Sequence, residues 1–173
     1  MDEQQLLKDC LKGDVHAQKR LYNTYARKMF GVCLRYAADQ GMAEDFLQEG
    51  FIRVFTRLKS FRMEGSFEGW MRRIMVNTSL EILRKKDVFR YASPLDDDLQ
   101  VSDQVEDVED IPDTDVLVRL IQEMPAGFRA VFNLYAVENH SHKEIGQLLG
   151  ISEGTSKSQY ARARAWLQQR LKS

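Results

Sequence analysis

Residues 141–171, SHKEIGQLLGISEGTSKSQYARARAWLQQRL, carry the start, stop and restart signals of two successive helices. Ser141 and Glu144 stand three apart just ahead of the apolar set Ile145, Leu148 and Leu149. That is the spacing of a capping box, in which a hydroxyl and a carboxylate satisfy free amides at a helix start. Gly150 supplies the left-handed residue that ends one helix, and Ser152 caps the next. Two helices joined by so short a turn predict a helix-turn-helix. On the second helix Ser156, Tyr160, Ala163, Leu167 and Leu171 recur at helical spacing and are expected inside. Glu153, Lys157, Gln159, Arg162 and Arg164 are expected to face a DNA groove or its phosphates. A basic helix face alone is usually just solvated; the caps and the tight turn beside it are what point to DNA.

Apolar residues recur at helical spacing almost throughout and no strand-like alternation of useful length occurs, so the fold class is all-α. A helix is expected to start near Asp14, bearing Leu21, Tyr25, Met29, Val32, Cys33 and Tyr36 on one side, and to end around residues 39–41. A second should span residues 43–59. Its apolar set is Phe46, Leu47, Gly50, Phe51, Val54, Phe55 and Leu58, with Glu44, Asp45, Gln48, Glu49 and Arg53 outward. A polar loop, Arg62-Met63-Glu64-Gly65-Ser66, precedes a third helix expected over residues 67–89. Periodicity lapses from Ser93 to Asp113 and resumes near Thr114 with Val116, Leu117, Leu120 and Ile121. Pro125 then suits the first position of a helix whose core face is Phe128, Val131, Phe132 and Tyr135.

Charge divides the chain in the same places. The net charge of −1 hides an acidic run, residues 92–115, with ten Asp or Glu and no Lys or Arg. Residues 1–91 hold 17 basic against 12 acidic side chains and residues 116–173 hold 8 against 4. Two small basic helical domains, 1–91 and 116–173, are therefore expected on either side of an acidic flexible linker, 92–115, whose like charges repel. Roughly 22 extended residues reach up to about 75 Å, comparable with two turns of duplex, roughly 70 Å.

Other functions find little support. Cys10 and Cys33 lie in amphipathic stretches and form neither a disulfide framework nor a CxxC site, which fits a reducing cytoplasm. The start Met1-Asp2-Glu3 has no signal-peptide character, and no apolar run is long enough for membrane insertion. No phosphate-binding glycine loop or nucleophile and base pairing occurs, so no catalytic residue, cofactor or metal is expected and the chain is not read as an enzyme. His140 and His142 lie at a helix start without a carboxylate or cysteine cluster, which reads as surface rather than metal site.

Residues 124–171 resemble the fourth conserved region of extracytoplasmic-function (ECF) sigma factors, of the sigma-70 superfamily of bacterial RNA polymerase. The matching residues are Met124-Pro125, Arg129, Val131-Phe132, Glu144-Ile145-Gly146, residues 154–159 and Arg162-Ala163-Arg164. The departures from the family pattern are Met124, Gly146, Ser156 and Gln159. Residues 43–51, AEDFLQEGF, resemble the family's second region, where an Asp, a Gln and a Glu on one helical face dock onto the clamp helices of the polymerase's largest subunit. Asp45, Gln48 and Glu49 occupy those positions, and their i, i+3, i+4 spacing sets them on one side of the helix. Phe67, Trp70, Ile74, Asn77, Glu81, Arg84, Lys85 and Lys86 continue the resemblance into the family's promoter-melting segment.

The resemblance implies a protein that binds core RNA polymerase and directs promoter-specific initiation. Arg62, Met63, Glu64, Gly65 and Ser66 would capture a flipped base of the minus-ten element, with Trp70, Arg73, Asn77, Arg84 and Lys85 beside it. Phe67 and Ile74 are read as core. Ser152, Glu153, Thr155, Lys157, Ser158, Gln159, Arg162 and Arg164 would contact the minus-thirty-five element, with Gln159, where the family often carries Arg, expected to read adenine. Its implied partners are core polymerase, promoter DNA and, as the family often uses one, an anti-sigma factor. The rival reading is a stand-alone helix-turn-helix regulator that binds duplex promoter DNA without polymerase.

Overall fold

The computed structural model describes residues 2–86 and 114–172, which form helices joined by short loops, with no strand among them. The expected linker, residues 92–115, lies outside the described residues except for its last two positions, which open a helix. The chain forms two compact units, Met1–Ser79 and Leu80–Ser173, divided within a single helix.

In the first unit, α1 (Glu3–Leu11), α2 (Val15–Tyr36), α3 (Gln40–Arg57) and the larger part of α4 (Phe67–Lys85), up to Ser79, follow in order, with a 3-10 turn at Leu58–Ser60 after α3. Each of the first three starts on an aspartate. Asp2, Asp14 and Asp39 sit in extended backbone, and their carboxylates accept the amides of Gln4, of His16 and Ala17, and of Met42. Such a cap contributes about 1 kcal/mol and places negative charge at the positive end of the helix. α3 starts three residues earlier than residue 43 because Asp39 is that cap. α4 stops at Lys85, short of residue 89, and residues 87–89 lie outside the described residues.

The core of this unit collects Leu7, Leu21, Met29, Cys33, Tyr36, Ala43, Phe46, Val54, Phe67, Met71 and Met75, all close to fully buried. Gly50 belongs to it for lack of a side chain: a Cβ there would run into the Met75 sulfur of α4. Both cysteines are buried and free. Burial pushes the Cys33 thiol up to about 12, so it behaves as a small apolar side chain.

The second unit contains α5 (Thr114–Glu123), α6 (Ala126–Phe132), α7 (His142–Leu149) and α8 (Glu153–Leu171). A wide π-helical turn, Asn133–Val137, continues α6. Pro125 precedes α6 rather than opening it, because its ψ of 141° is extended. Met124, Ala163 and Leu167 form a buried cluster, with Leu120, Phe128, Phe132 and Trp166 packed against it. Tyr135, expected in that core, is 38% exposed. The wider turn adds backbone between Phe132 and the next turn, which rotates Tyr135 off the stripe of Val131 and Phe132.

Candidate functional site

The helix-turn-helix forms as its local signals require. The Ser141 hydroxyl accepts the Glu144 amide at 3.1 Å, and the Glu144 carboxylate accepts the Ser141 amide at 3.5 Å. Hydrogen bonds from His140 and Ser141 hold the Glu144 carboxyl below its ordinary range. Gly150 ends α7 in the left-handed region, at φ 70°, and Ser152 accepts the Thr155 amide at 3.0 Å to start α8.

Gly146 is what keeps the turn short. The Ile151 amide donates to the Gly146 carbonyl at 3.0 Å, and a Cβ at Gly146 would sit 2.7 Å from the Ile151 carbonyl oxygen. Because that oxygen is backbone, the turn would have to open to admit a methyl group. Gly146→Ala gains about 1 kcal/mol of helix propensity against an overpacking cost of about 1–3 kcal/mol. A net loss is expected, seen as a lower midpoint of thermal unfolding and weaker binding to minus-thirty-five DNA. An unchanged or raised midpoint contradicts the steric account.

On α8, Lys157 and Ser158 are exposed, as are Ser152 and Glu153 at its start, with Thr155 and Arg164 half-buried. Glu153 pairs with Lys157 at 3.6 Å, and the Arg164 guanidinium lies 5.7 Å from the Tyr160 ring centre. Gln159 and Arg162 are placed differently from expectation, being only 3% and 8% exposed. Gln159 falls one turn after Ser156 and one turn before Ala163, both wholly buried, so helix geometry turns it inward. Arg162 lies three residues on, along the flank of the same inner face. Gln159 is therefore not presented to a base edge, and the adenine-reading role expected for it is withdrawn.

Arg129, matched only as part of a motif, proves to be buried at 4% exposure. Its Nε donates to the Ile121 carbonyl at 3.1 Å, and its Nη2 donates to those of Gln122 and Met124 at 2.9 and 2.7 Å. One guanidinium thus caps the carbonyls at and just beyond the end of α5, where the helix itself runs out of donors and only Ile121 also accepts a backbone amide, that of Met124 at 3.2 Å.

In the first unit, Asp45 and Gln48 are exposed on α3, and neither has a hydrogen-bond or ion-pair partner among the described residues. Glu49, half-buried, sits 3.7 Å from Arg53. Next to this polar face runs a groove of about 820 Å³ between α2 and α3. Glu44, Asp45 and Gln48 supply its polar edge, and Tyr22, Phe30, Phe51, Ile52 and Phe55 are among its apolar walls. Ile52 and Tyr22 remain 56% and 41% exposed. Sequence reasoning missed this groove, although Ile52 carries a signal: it is apolar yet off the stripe of Phe51, Val54 and Phe55.

The loop before α4 holds two residues in left-handed backbone, Met63 at φ 58° and Gly65 at φ 76°. Glycine tolerates that conformation freely, whereas for Met63 it is strained, a feature that concentrates at functional sites. Ser66 closes the loop by accepting the Gly69 amide at 3.0 Å. Behind it, Trp70 stacks on the buried Phe67 at 5.6 Å and tilts against Phe61 at 5.4 Å, which leaves the indole half-buried. Phe67 and Ile74 are core, as expected. By helical spacing Trp70, Arg73, Asn77 and Arg84 share one face of α4, and Lys85 lies to its side, 3.4 Å from Glu81. Arg62, Glu64, Arg73, Asn77, Arg84 and Lys85 are exposed, and Met63 is half-buried.

No group of three His, Cys, Asp or Glu is placed to hold a metal ion, and no helix is long and apolar enough to cross a membrane, among the described residues. The models of Sigma-70 region 2 and Sigma-70 region 4 match residues 21–89 and 114–167. Among curated proteins, the ECF RNA polymerase sigma factor SigE of Mycolicibacterium smegmatis is 32% identical over 85% of this chain, which spans 58% of that protein's length. SigM of Mycobacterium tuberculosis, likewise an ECF RNA polymerase sigma factor, is 30% identical over 94% of this chain and 81% of its own. The solved sigma factor RpoE of Bartonella quintana has the same fold, with a TM-score of 0.52 and 21% identity over 89% of this chain and 96% of that one. With both region models matched in order and relatives of this similarity, the chain belongs to the ECF sigma factors of bacterial RNA polymerase.

Proposed function

We propose that this chain binds core RNA polymerase through Asp45, Gln48, Glu49 and the α2/α3 groove, and reads promoters with two separate DNA surfaces. The observation that carries the reading is the polar edge of α3, where Asp45 and Gln48 have no partner among the described residues, beside an exposed apolar groove. An arrangement of charged rim and apolar floor suits a protein interface better than a solvated surface. Residues 1–91 serve as the polymerase and minus-ten module, 116–173 as the minus-thirty-five module, and 92–115 as the tether between them. On the second module Ser152, Glu153, Thr155, Lys157, Ser158 and Arg164 meet the DNA, while Gln159 and Arg162 act through packing.

The chain works in the cytoplasm and catalyses nothing itself, the chemistry being the polymerase's. An anti-sigma protein is a further partner; the Bartonella factor is solved in complex with one, NepR. The stand-alone regulator leaves the α3 edge and groove without a role. Co-purification with core polymerase, followed by run-off transcription on genomic fragments, tests the reading. Promoter-specific transcripts that require both components are expected, and duplex binding with full specificity in the absence of polymerase would favour the regulator instead.

Within the minus-ten surface the loop and the helix have separable tasks. Residues 62–66 supply the base pocket, with Trp70 offering a partly open ring for stacking, worth about 1–3 kcal/mol per base. Arg73, Asn77, Arg84 and Lys85 hold backbone phosphates and add strength without preference. Replacing the whole loop should change the base profile of a minus-ten promoter library by about 1–3 kcal/mol at one position. Neutralising Arg73 or Arg84 should lower all promoters evenly. An unaltered profile after loop replacement removes the pocket.

A further inference from the structure

His142, the first residue of α7, is packed where the two helices of the helix-turn-helix meet. Its ring stacks on Tyr135 of the π-helical turn, with centroids 4.3 Å apart and planes 11° from parallel. Tyr160 of α8 closes a second side, at 5.9 Å from His142 and 4.5 Å from Tyr135. The imidazole Nδ1 lies 2.8 Å from the hydroxyl of Ser156, a side chain with no solvent exposure in the first turns of α8. One histidine thus joins three elements, and its bond to Ser156 orients the turn that also presents Lys157 and Ser158.

We propose that neutral His142 is a positioning residue for minus-thirty-five recognition, and that its protonation loosens the start of α8, so that this chain reads that element less well on mild acidification. The inference rests on the reading of α7 and α8 as the minus-thirty-five surface. Several groups face the ring. On α8 they are Lys157, which opposes a positive imidazole, Glu153, which favours one, and the Tyr160 phenol; on the π-helical turn there is the Tyr135 phenol. On α7 itself, Lys143 and Glu144 follow, with Glu144 held at 3.0 Å by His140. A cation on the Tyr135 face is favourable. Against it stand burial, Lys157 and the positive end of the α7 dipole, and burial is the largest of the causes that lower the His142 pKa from its ordinary 6.5.

The sign follows from linkage. A histidine whose folded pKa is depressed contributes fully above its unfolded value of 6.5, and the contribution is lost as pH falls from there through the lowered folded value. The loss begins with proton uptake by the form in which α8 is loosened. It therefore falls below pH 6.5 and leaves behaviour at pH 7.5 untouched.

The test uses holoenzyme assembled from the full chain and core polymerase. Transcription from a promoter with an intact minus-thirty-five element is divided by that from a scrambled one, which cancels the polymerase's own pH response. For wild type this ratio should fall roughly two- to fivefold between pH 7.5 and 5.8, because uptake of one proton by a form with the ordinary pKa of 6.5 supports at most about a fivefold change over that range. His142→Asn, whose amide falls where Nδ1 lies and takes no proton, should hold its ratio constant. A flat wild-type ratio, or an equal fall in His142→Asn, overturns the proposal. A wild-type ratio of one at pH 7.5 instead overturns the minus-thirty-five reading on which it rests. Should the variant fail to fold, NMR titration of the wild-type chain decides: the Ser156 and Lys157 amides must shift with the His142 ring, and amides that ignore its titration reject the coupling.

Discussion

Asp45→Arg combined with Glu49→Arg should weaken core-polymerase binding by at least about a hundredfold. Loss of one partner from a close interfacial charge pair costs about 2–5 kcal/mol, and about 2.7 kcal/mol is already a hundredfold. Reversal adds repulsion to that loss. Asp45 is exposed and has no partner within the described residues, so its replacement should not disturb the fold. Glu49→Arg does break a contact with Arg53, at 3.7 Å, but a single long pair that is only partly buried contributes about 1 kcal/mol or less. The double variant should therefore melt with the wild type while failing to form holoenzyme in a polymerase titration. Wild-type affinity from a folded variant would take this face out of the interface. Ile52→Asp, which puts a charge on a 56% exposed wall of the groove, should weaken binding without unfolding the chain.

Arg129→Met should destabilise the second unit by about 3 kcal/mol or more. The variant keeps the volume of the stem but removes the guanidinium donors to the carbonyls of Ile121, Gln122 and Met124, leaving Ile121 with the Met124 amide. Hydrogen bonds from a charged group contribute about 1.5–3 kcal/mol each, and acceptors left unsatisfied in a buried site cost further. Arg129→Lys should recover only part of the loss, because a single ammonium cannot span three acceptors that a planar guanidinium reaches at once. In a unit of this size 1 kcal/mol moves the midpoint by about 4–8 °C. A drop of more than about 10 °C in the corresponding unfolding transition is expected, followed by far-UV circular dichroism on the full chain. A midpoint within a few degrees of wild type would mean that the α5 end is held by other means.

Much of the architecture was legible in the residues because helix ends are local events. The Ser141/Glu144 box, the left-handed Gly150 and the Ser152 cap join groups within a turn of each other, and each stands as its spacing predicts. The apolar stripe of α3 was legible for the same reason, since Phe46, Leu47, Phe51 and Val54 repeat at the helical period and are buried. Errors fell where periodicity changes or fades. The π-helical turn moved Tyr135 outward, and α8 mixes polar and apolar residues around most of its circumference, so pattern alone misplaced Gln159 and Arg162.

From its sequence alone, then, this protein was determined to be all-α, to end in a helix-turn-helix and to resemble its family in two separate motifs. Caps, turns and stripes depend on neighbours within about four positions, which the linear order displays. Tertiary structure alone decided that Arg129 closes α5 from α6, that His142 reaches Ser156 fourteen residues on, and that the exposed Tyr22 and Ile52 wall one groove. Those contacts join different helices. Which side chains meet there depends on how the helices cross and which faces they bury, and no local spacing records that.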